Sequence, residues 1–281
     1  MGVITAPEWL LAVWSRSLIE IGSPAPVGEI ERIGDQLLDR WCNPARRFHG
    51  VGHLIMALER INELAQEAGS PPLVRLAAYY HGAVMTTDID SFDAHTWGED
   101  EAASADFAAG QLTHLQVAEA KVERIRWLIA SLGRRPAVIK DPDLAVLCDA
   151  ERAVLATDPQ TYRAYVAGAL AEYAHLPEEV VLKQRVVVLR RWLAKDRLFL
   201  TSVAELWEDV ARNNVEAELT RTLRRLEDMG VSLEEPAEPE SPEAAVPDGA
   251  PSPDAPVDEE EIDESYWDSV LPGGGEDVEL S

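Results

Sequence analysis

With 281 residues, 46% of them hydrophobic, the chain has enough apolar side chains for a sizeable core, which excludes a wholly disordered protein. Its net charge of −26 is uneven: 17 of the 51 acids fall in residues 234–281, which carry no Lys or Arg, leaving 34 acids against 25 bases elsewhere. A field of that sign repels nucleic-acid backbones and anionic membranes, so neither is an expected partner.

The opening MGVITAPEWLLAVWSRSLIE has no basic segment ahead of its apolar residues, so secretion is not expected. No run approaches the roughly 18 uninterrupted apolar residues of a membrane span. Residues 7–21 place Trp9, Leu10, Leu11, Val13, Trp14 and Leu18 at mixed i+3 and i+4 steps, which predicts a helix. Residues 27–41 repeat the pattern with Ile30, Ile33, Leu37 and Leu38. Asn43-Pro44 joins a capping residue to a proline at the first helical position, predicting a helix to about residue 68 that Gly69 ends. Ser70-Pro71 opens the next with the same signal. Segments near 99–113, 115–132, 141–156, 158–174, 177–195 and 203–229 are rich in Ala, Leu, Glu and Arg at helical periodicity. There is no sustained period-two alternation, so few strands and an all-α fold are expected. Cys42 and Cys148 are too few and too scattered for a disulfide framework or a cysteine zinc site, which fits a reducing cytoplasm.

The chain therefore reads as a helical domain over residues 1–232 and an acidic tail over 233–281. The tail is rich in Pro, Glu, Ala and Asp, and is expected to be disordered because it cannot bury enough apolar area to offset its ordering entropy. Within it, Tyr266, Trp267 and Leu271 form an apolar island that offers a docking motif for a protein partner; it reads equally as a less polar patch in a solvated tail.

Three groups of side chains have the types and spacing of a reactive site. In Arg46-Arg47-Phe48-His49-Gly50-Val51-Gly52-His53, the two histidines lie four apart on a predicted helix, which would put both rings on one face. Two imidazoles so placed can share a metal, or divide into ligand and acid. His81 lies inside a predicted apolar helix, Leu76-Ala77-Ala78-Tyr79-Tyr80-His81-Gly82, where a single histidine is most simply a hydrogen-bonded core residue. Asp143 opens a predicted helix, where the plain reading is an N-terminal charge or cap worth ~1 kcal/mol.

In sequence, these groups give a histidine pair, a histidine in an apolar helix, and an aspartate opening another helix. That order resembles the HD superfamily of metal-dependent phosphohydrolases, and more closely a bacterial branch of predicted HD phosphohydrolases. The likeness runs over roughly residues 37–222 and includes Asp100-Glu101-Ala102-Ala103-Ser104-Ala105, Glu172-Tyr173, Arg185-Val186-Val187-Val188-Leu189, 208–214 and Glu218-Leu219. The resemblance implies a helical bundle around a divalent metal (Mn, Fe or Mg), with His53, His81 and Asp143 as ligands and a small phosphate ester or nucleotide as substrate. It makes His49 the proton donor to the leaving group. Arg46, Arg47 and Arg212 are candidates to clamp a phosphate, and equally candidates for surface or bundle salt bridges.

The likeness breaks at its defining His-Asp pair, which here is His81-Gly82; glycine offers no oxygen. Ser131-Leu132-Gly133-Arg134 lacks an expected histidine, and Leu170 stands where an arginine is expected. Two readings follow. Asp88, Asp90 or Asp93, in a loop also holding His95, supplies a substitute ligand; or the chain is a non-catalytic HD-fold module that binds a ligand, or a protein through its tail.

Overall fold

The first predicted stripe becomes α1 (Glu8–Glu20), where Leu10, Trp14 and Leu18 recur every four residues and are fully buried. This computed structural model describes residues 5–87, 98–134 and 140–231. The second stripe becomes α2 (Val27–Trp41), which buries Ile30, Ile33, Leu37, Leu38 and Trp41. There follow α3 (Val51–Glu63), α4 (Pro71–Tyr80), α5 (Glu101–His114), α6 (Glu119–Arg134), α7 (Pro142–Arg152), α8 (Pro159–Glu172), α9 (Glu178–Leu193) and α10 (Glu208–Asp228). Single 3-10 turns lie at Ala65–Glu67, Ala153–Ala156 and Ala204–Trp207. The described residues are thus all-helical, apart from an isolated antiparallel bridge between Met85 and Glu99. They belong to one compact unit, and none of their helices is long and apolar enough to cross a membrane.

Caps set several of these boundaries. Asp100 accepts a hydrogen bond from Ala103 N, Asp141 from Leu144 N, and Asp158 from Gln160 N and Thr161 N. Each such cap contributes ~1 kcal/mol. Pro71, Pro142 and Pro159 occupy first-turn positions, where their missing N–H would have had no helical partner.

α4 lies at the centre, packed against α1, α3, α6 and α7, while α5 pairs with α6 and α9 with α10. Buried aromatics join the layers through backbone carbonyls. The Trp14 Nε1–H donates to Ile30 O (2.9 Å), the Tyr79 hydroxyl to Leu10 O (2.6 Å), and the Trp41 Nε1–H to Tyr79 O (2.9 Å). These bonds let bulky rings fill the core without orphaning their polar atoms. Leu182, Val186 and Leu226 make a small separate apolar cluster between α9 and α10.

One predicted element is shorter than its signals imply. The helix expected from residue 44 begins only at Val51. Asn43 Oδ1 accepts from Ala45 N (3.0 Å) and Arg46 N donates to Asn43 O (3.0 Å), which closes a single turn. The amides of Phe48 and His49 then leave the helical ladder and donate to Glu172 Oε1 at 2.8 and 2.9 Å. The tail, including Tyr266, Trp267 and Leu271, lies outside the described residues.

Candidate metal centre

His53 rides on α3 and His81 caps the C-terminus of α4; both are buried, and their Nε2 atoms stand 3.1 Å apart. His81 Nδ1 lies 2.6 Å from Ala78 O, which fixes a proton on Nδ1 and leaves Nε2 a lone pair. In the metal-free protein, the 3.1 Å separation suits an N–H donated by His53 Nε2. It equally suits two nitrogens ~2.1 Å from one ion, whose mutual separation is ~3.0–3.4 Å at right or tetrahedral angles.

A third donor joins them. Ligand atoms of His53, His81 and Glu99 all lie within 4.8 Å of one another, and all three residues are buried. Two atoms in this cluster are buried with no hydrogen-bond partner: His53 Nδ1 and Glu99 Oε1. A buried carboxylate oxygen left unpaired is costly, so the cluster has the composition of a cation site. The donor set therefore fits the divalent metal that the resemblance implies, with Glu99 in place of the aspartate missing at position 82.

Local backbone explains how Glu99 arrives. Thr86 N donates to Gly98 O (2.9 Å) and Asp100 N to Val84 O (3.1 Å), flanking the bridge between Met85 and Glu99. Gly98 has φ +81, and a Cβ there would stand 2.1 Å from Thr86 O, so only glycine allows this approach. On the other side, Arg46 Nη1 donates to Gly82 O (2.6 Å) and Nη2 to Ala83 O (3.3 Å), holding the turn after His81.

His49 lies beside the cluster, its ring centroid 5.9 Å from that of His53. It is not on α3, as its spacing predicts, but in the loop before it. Glu172, the last residue of α8, holds it there: His49 Nδ1 is 2.6 Å from Glu172 Oε2, while Glu172 Oε1 takes the His49 and Phe48 amides. Burial opposes charge on His49, but the neighbouring Glu99 carboxylate and the Glu172 hydrogen bond outweigh it and hold its pKa above the ordinary value. Burial likewise opposes charge on Glu172, yet the His49 pairing and the two amides keep its pKa low. His53 goes the other way: burial and the neighbouring His81 and His49 depress it well below a free histidine.

Other expected site residues stand elsewhere. Asp143 does not join His53 and His81; its Oδ1 accepts from Ser70 N (2.8 Å) and its Oδ2 from Arg124 (2.8 Å). Arg46 is engaged by Gly82 O and Ala83 O instead of facing a phosphate. Arg212 donates to Glu208 Oε1 and to the carbonyls of Leu193, Lys195 and Asp196, closing the C-terminus of α9. Arg47 is exposed. Asp88, Asp90, Asp93 and His95 lie outside the described residues. Glu99 has no signature in the sequence beyond the glycine at 98 that marks its close approach; Glu172 stands out there only within the resemblance, without its partnership to His49.

Compared with known proteins, the chain matches no family model, no curated protein and no solved structure.

Proposed function

We propose that the protein is a metal-dependent hydrolase of small phosphate esters or nucleotides, of the HD phosphohydrolase type. The observation that carries this reading is the convergence of His53, His81 and a buried, unpartnered carboxylate oxygen beside a histidine already tied to Glu172. A divalent ion held by these donors would lower the pKa of a bound water and screen charge on phosphoryl oxygens.

The chain's own groups divide the remaining work. His49 keeps Nδ1 on Glu172 Oε2, so Nε2 is the position from which a proton reaches a departing alkoxide. Glu172 stabilises the imidazolium and fixes its orientation through the two amides it also accepts. Burial of His53 keeps it neutral, as a ligand must be. Arg47 is exposed, and is the remaining candidate to supply positive charge to the substrate.

The test is hydrolysis of a panel of phosphate monoesters, diesters and nucleotides by the purified full chain with Mn2+ or Zn2+. Activity on at least one ester, lost in His53→Ala and His81→Ala and lowered ~100-fold or more in His49→Gln, supports the reading. No hydrolysis across the panel with metal bound removes it.

A second reading is a metal-holding binding module without hydrolysis. It is favoured by the engagement of Arg46 and Arg212 on backbone carbonyls, which takes two phosphate-binding cations out of the site. In that case a protein partner would be sought through Tyr266, Trp267 and Leu271, and its capture would fail on deleting residues 234–281.

A further inference from the structure

We propose that Gly82 and Glu99 are two halves of one ligand position. The side chain absent at 82 leaves the seat that the Glu99 carboxylate fills, making with His53 and His81 a mononuclear two-histidine, one-carboxylate centre selective for a borderline transition ion such as Zn2+ over Mg2+. The inference rests on the metal centre of the preceding section, but not on its chemistry.

The reciprocity is steric. A Cβ at position 82 would lie 2.8 Å from Glu99 Oε1 and 2.8 Å from Trp41 Cη2, closer than real Cβ contacts come. Trp41 is not free to yield, so the displacement falls on the Glu99 carboxylate, whose Oε1 has no hydrogen-bond partner. Trp41 is fully buried and anchored on Tyr79 O, and its ring packs 5.3 Å from that of His81. The backbone of Glu99 is held by the bridge to Met85 and by Gly98, and Gly82 itself is held by Arg46. A side chain at 82 and the carboxylate of Glu99 therefore exclude each other, and the chain carries the second.

Nuclearity and selectivity follow from the donors. Two close dications need several shared carboxylates to offset their repulsion. Among the described residues the group holds a single carboxylate, and Asp143 stands outside it on Ser70 N and Arg124. Two imidazoles and one carboxylate suit Zn2+, whereas Mg2+ demands near-octahedral oxygen and keeps its waters. His81 has its Nδ1–H on Ala78 O, the outer hydrogen bond that fixes a ligating imidazole.

The experiment is metal titration of the chelator-stripped full-length chain by calorimetry, with ZnCl2 and MgCl2 as the probes and circular dichroism as the check on folding. One Zn2+ per chain is expected, with Mg2+ bound at least ~1,000-fold more weakly, as imidazole ligation dictates. Glu99→Gln, nearly isosteric, should weaken Zn2+ by ~100-fold or more, beyond the ~10–100-fold typical of an outer-shell residue. Gly82→Ala should also weaken it by displacing the carboxylate. Glu99→Ala, which removes the carboxylate and leaves space, should lose at least as much as Glu99→Gln.

Wild-type affinity in a folded Glu99→Gln protein, or two Zn2+ per chain, overturns the proposal. So does wild-type affinity in a folded Glu99→Ala protein, which also decides the matter should Glu99→Gln not fold. Zn2+ binding that depends on Glu99 without any ester hydrolysis defeats the hydrolase reading alone. Hydrolysis that persists in Glu99→Gln with the wild-type dependence on Zn2+ concentration defeats this inference alone.

Discussion

His49 and His53 stand four positions apart, yet the fold drives their protonation in opposite directions. Folding raises the His49 pKa, so its contribution is fully present below the unfolded value near 6.5 and is lost as pH rises through the folded value. For His53 the folded value falls well below 6.5; the unfolded chain then takes up the proton more readily, and stability is lost as pH falls below ~6.5. Melting curves of the metal-free chain should therefore show declining stability on both sides of a maximum. His49→Gln should flatten the alkaline side, and a decline there equal to wild type would rule out His49 as its source. The same variant breaks a buried pair whose Glu172 side chain is 1% exposed, and should cost ~3 kcal/mol in a urea titration. The sequence shows the i, i+4 spacing of these histidines but not their separate fates. Glu172, which draws His49 off the helix, lies 123 residues away, and no local pattern reports it.

At the scale of elements, helical periodicity and capping gave most boundaries because both are local. α2 coincides with its predicted span, and Asp141, Asp158 and Asp100 sit where their caps are needed. The helix expected from residue 44 failed because the amides of Phe48 and His49 found a stronger, charged acceptor than a backbone carbonyl. Several pieces of the HD likeness act here as joints between helices. Arg185 of α9 and Glu218 of α10, both 2% exposed, pair at 2.6 Å, and the Tyr162 hydroxyl of α8 also donates to Glu218. Removing one partner leaves a buried charge, so Glu218→Ala should destabilise the chain by ~3–5 kcal/mol. Asn214 donates to Leu155 O and Thr157 O, tying α10 to the turn before α8. Asp143 is another joint, linking the start of α7 to Ser70 and to Arg124 of α6. Asp143→Ala should cost ~1–2 kcal/mol by stripping the part-buried Ser70 amide of its acceptor. It should leave Zn2+ affinity unchanged by calorimetry; a loss like that of His53→Ala would return Asp143 to the ligand set.

Across the whole molecule, the candidate site is assembled from the stretches around residues 49–53, 81–82, 98–99 and 172, each placed by a different helix or turn. The histidines were legible because their residue type and order resemble a known pattern. The carboxylate was not, because its place is set by a contact between Gly82, Trp41 and Glu99 that exists only once α2, α4 and the bridge at Met85 have come together. That dependence has a consequence for stability. An ion bound across α3, α4 and the bridge binds the folded chain alone, so it must stabilise the fold as a unit. At a free Zn2+ concentration of 100 times Kd the gain is ~2.7 kcal/mol, and for a body of this size that raises the melting temperature by ~5–10 °C. Scanning calorimetry of the full chain, stripped and then titrated with ZnCl2, should show this rise growing with the logarithm of the ion concentration and reversing on chelation. His53→Ala, His81→Ala should abolish it. A rise of equal size in that double variant would place the ion elsewhere on this acidic chain, where 51 carboxylates offer weak alternatives. Weak surface sites saturate at higher concentration and add little cross-linking between helices, so the concentration dependence separates the two cases as well as the variant does.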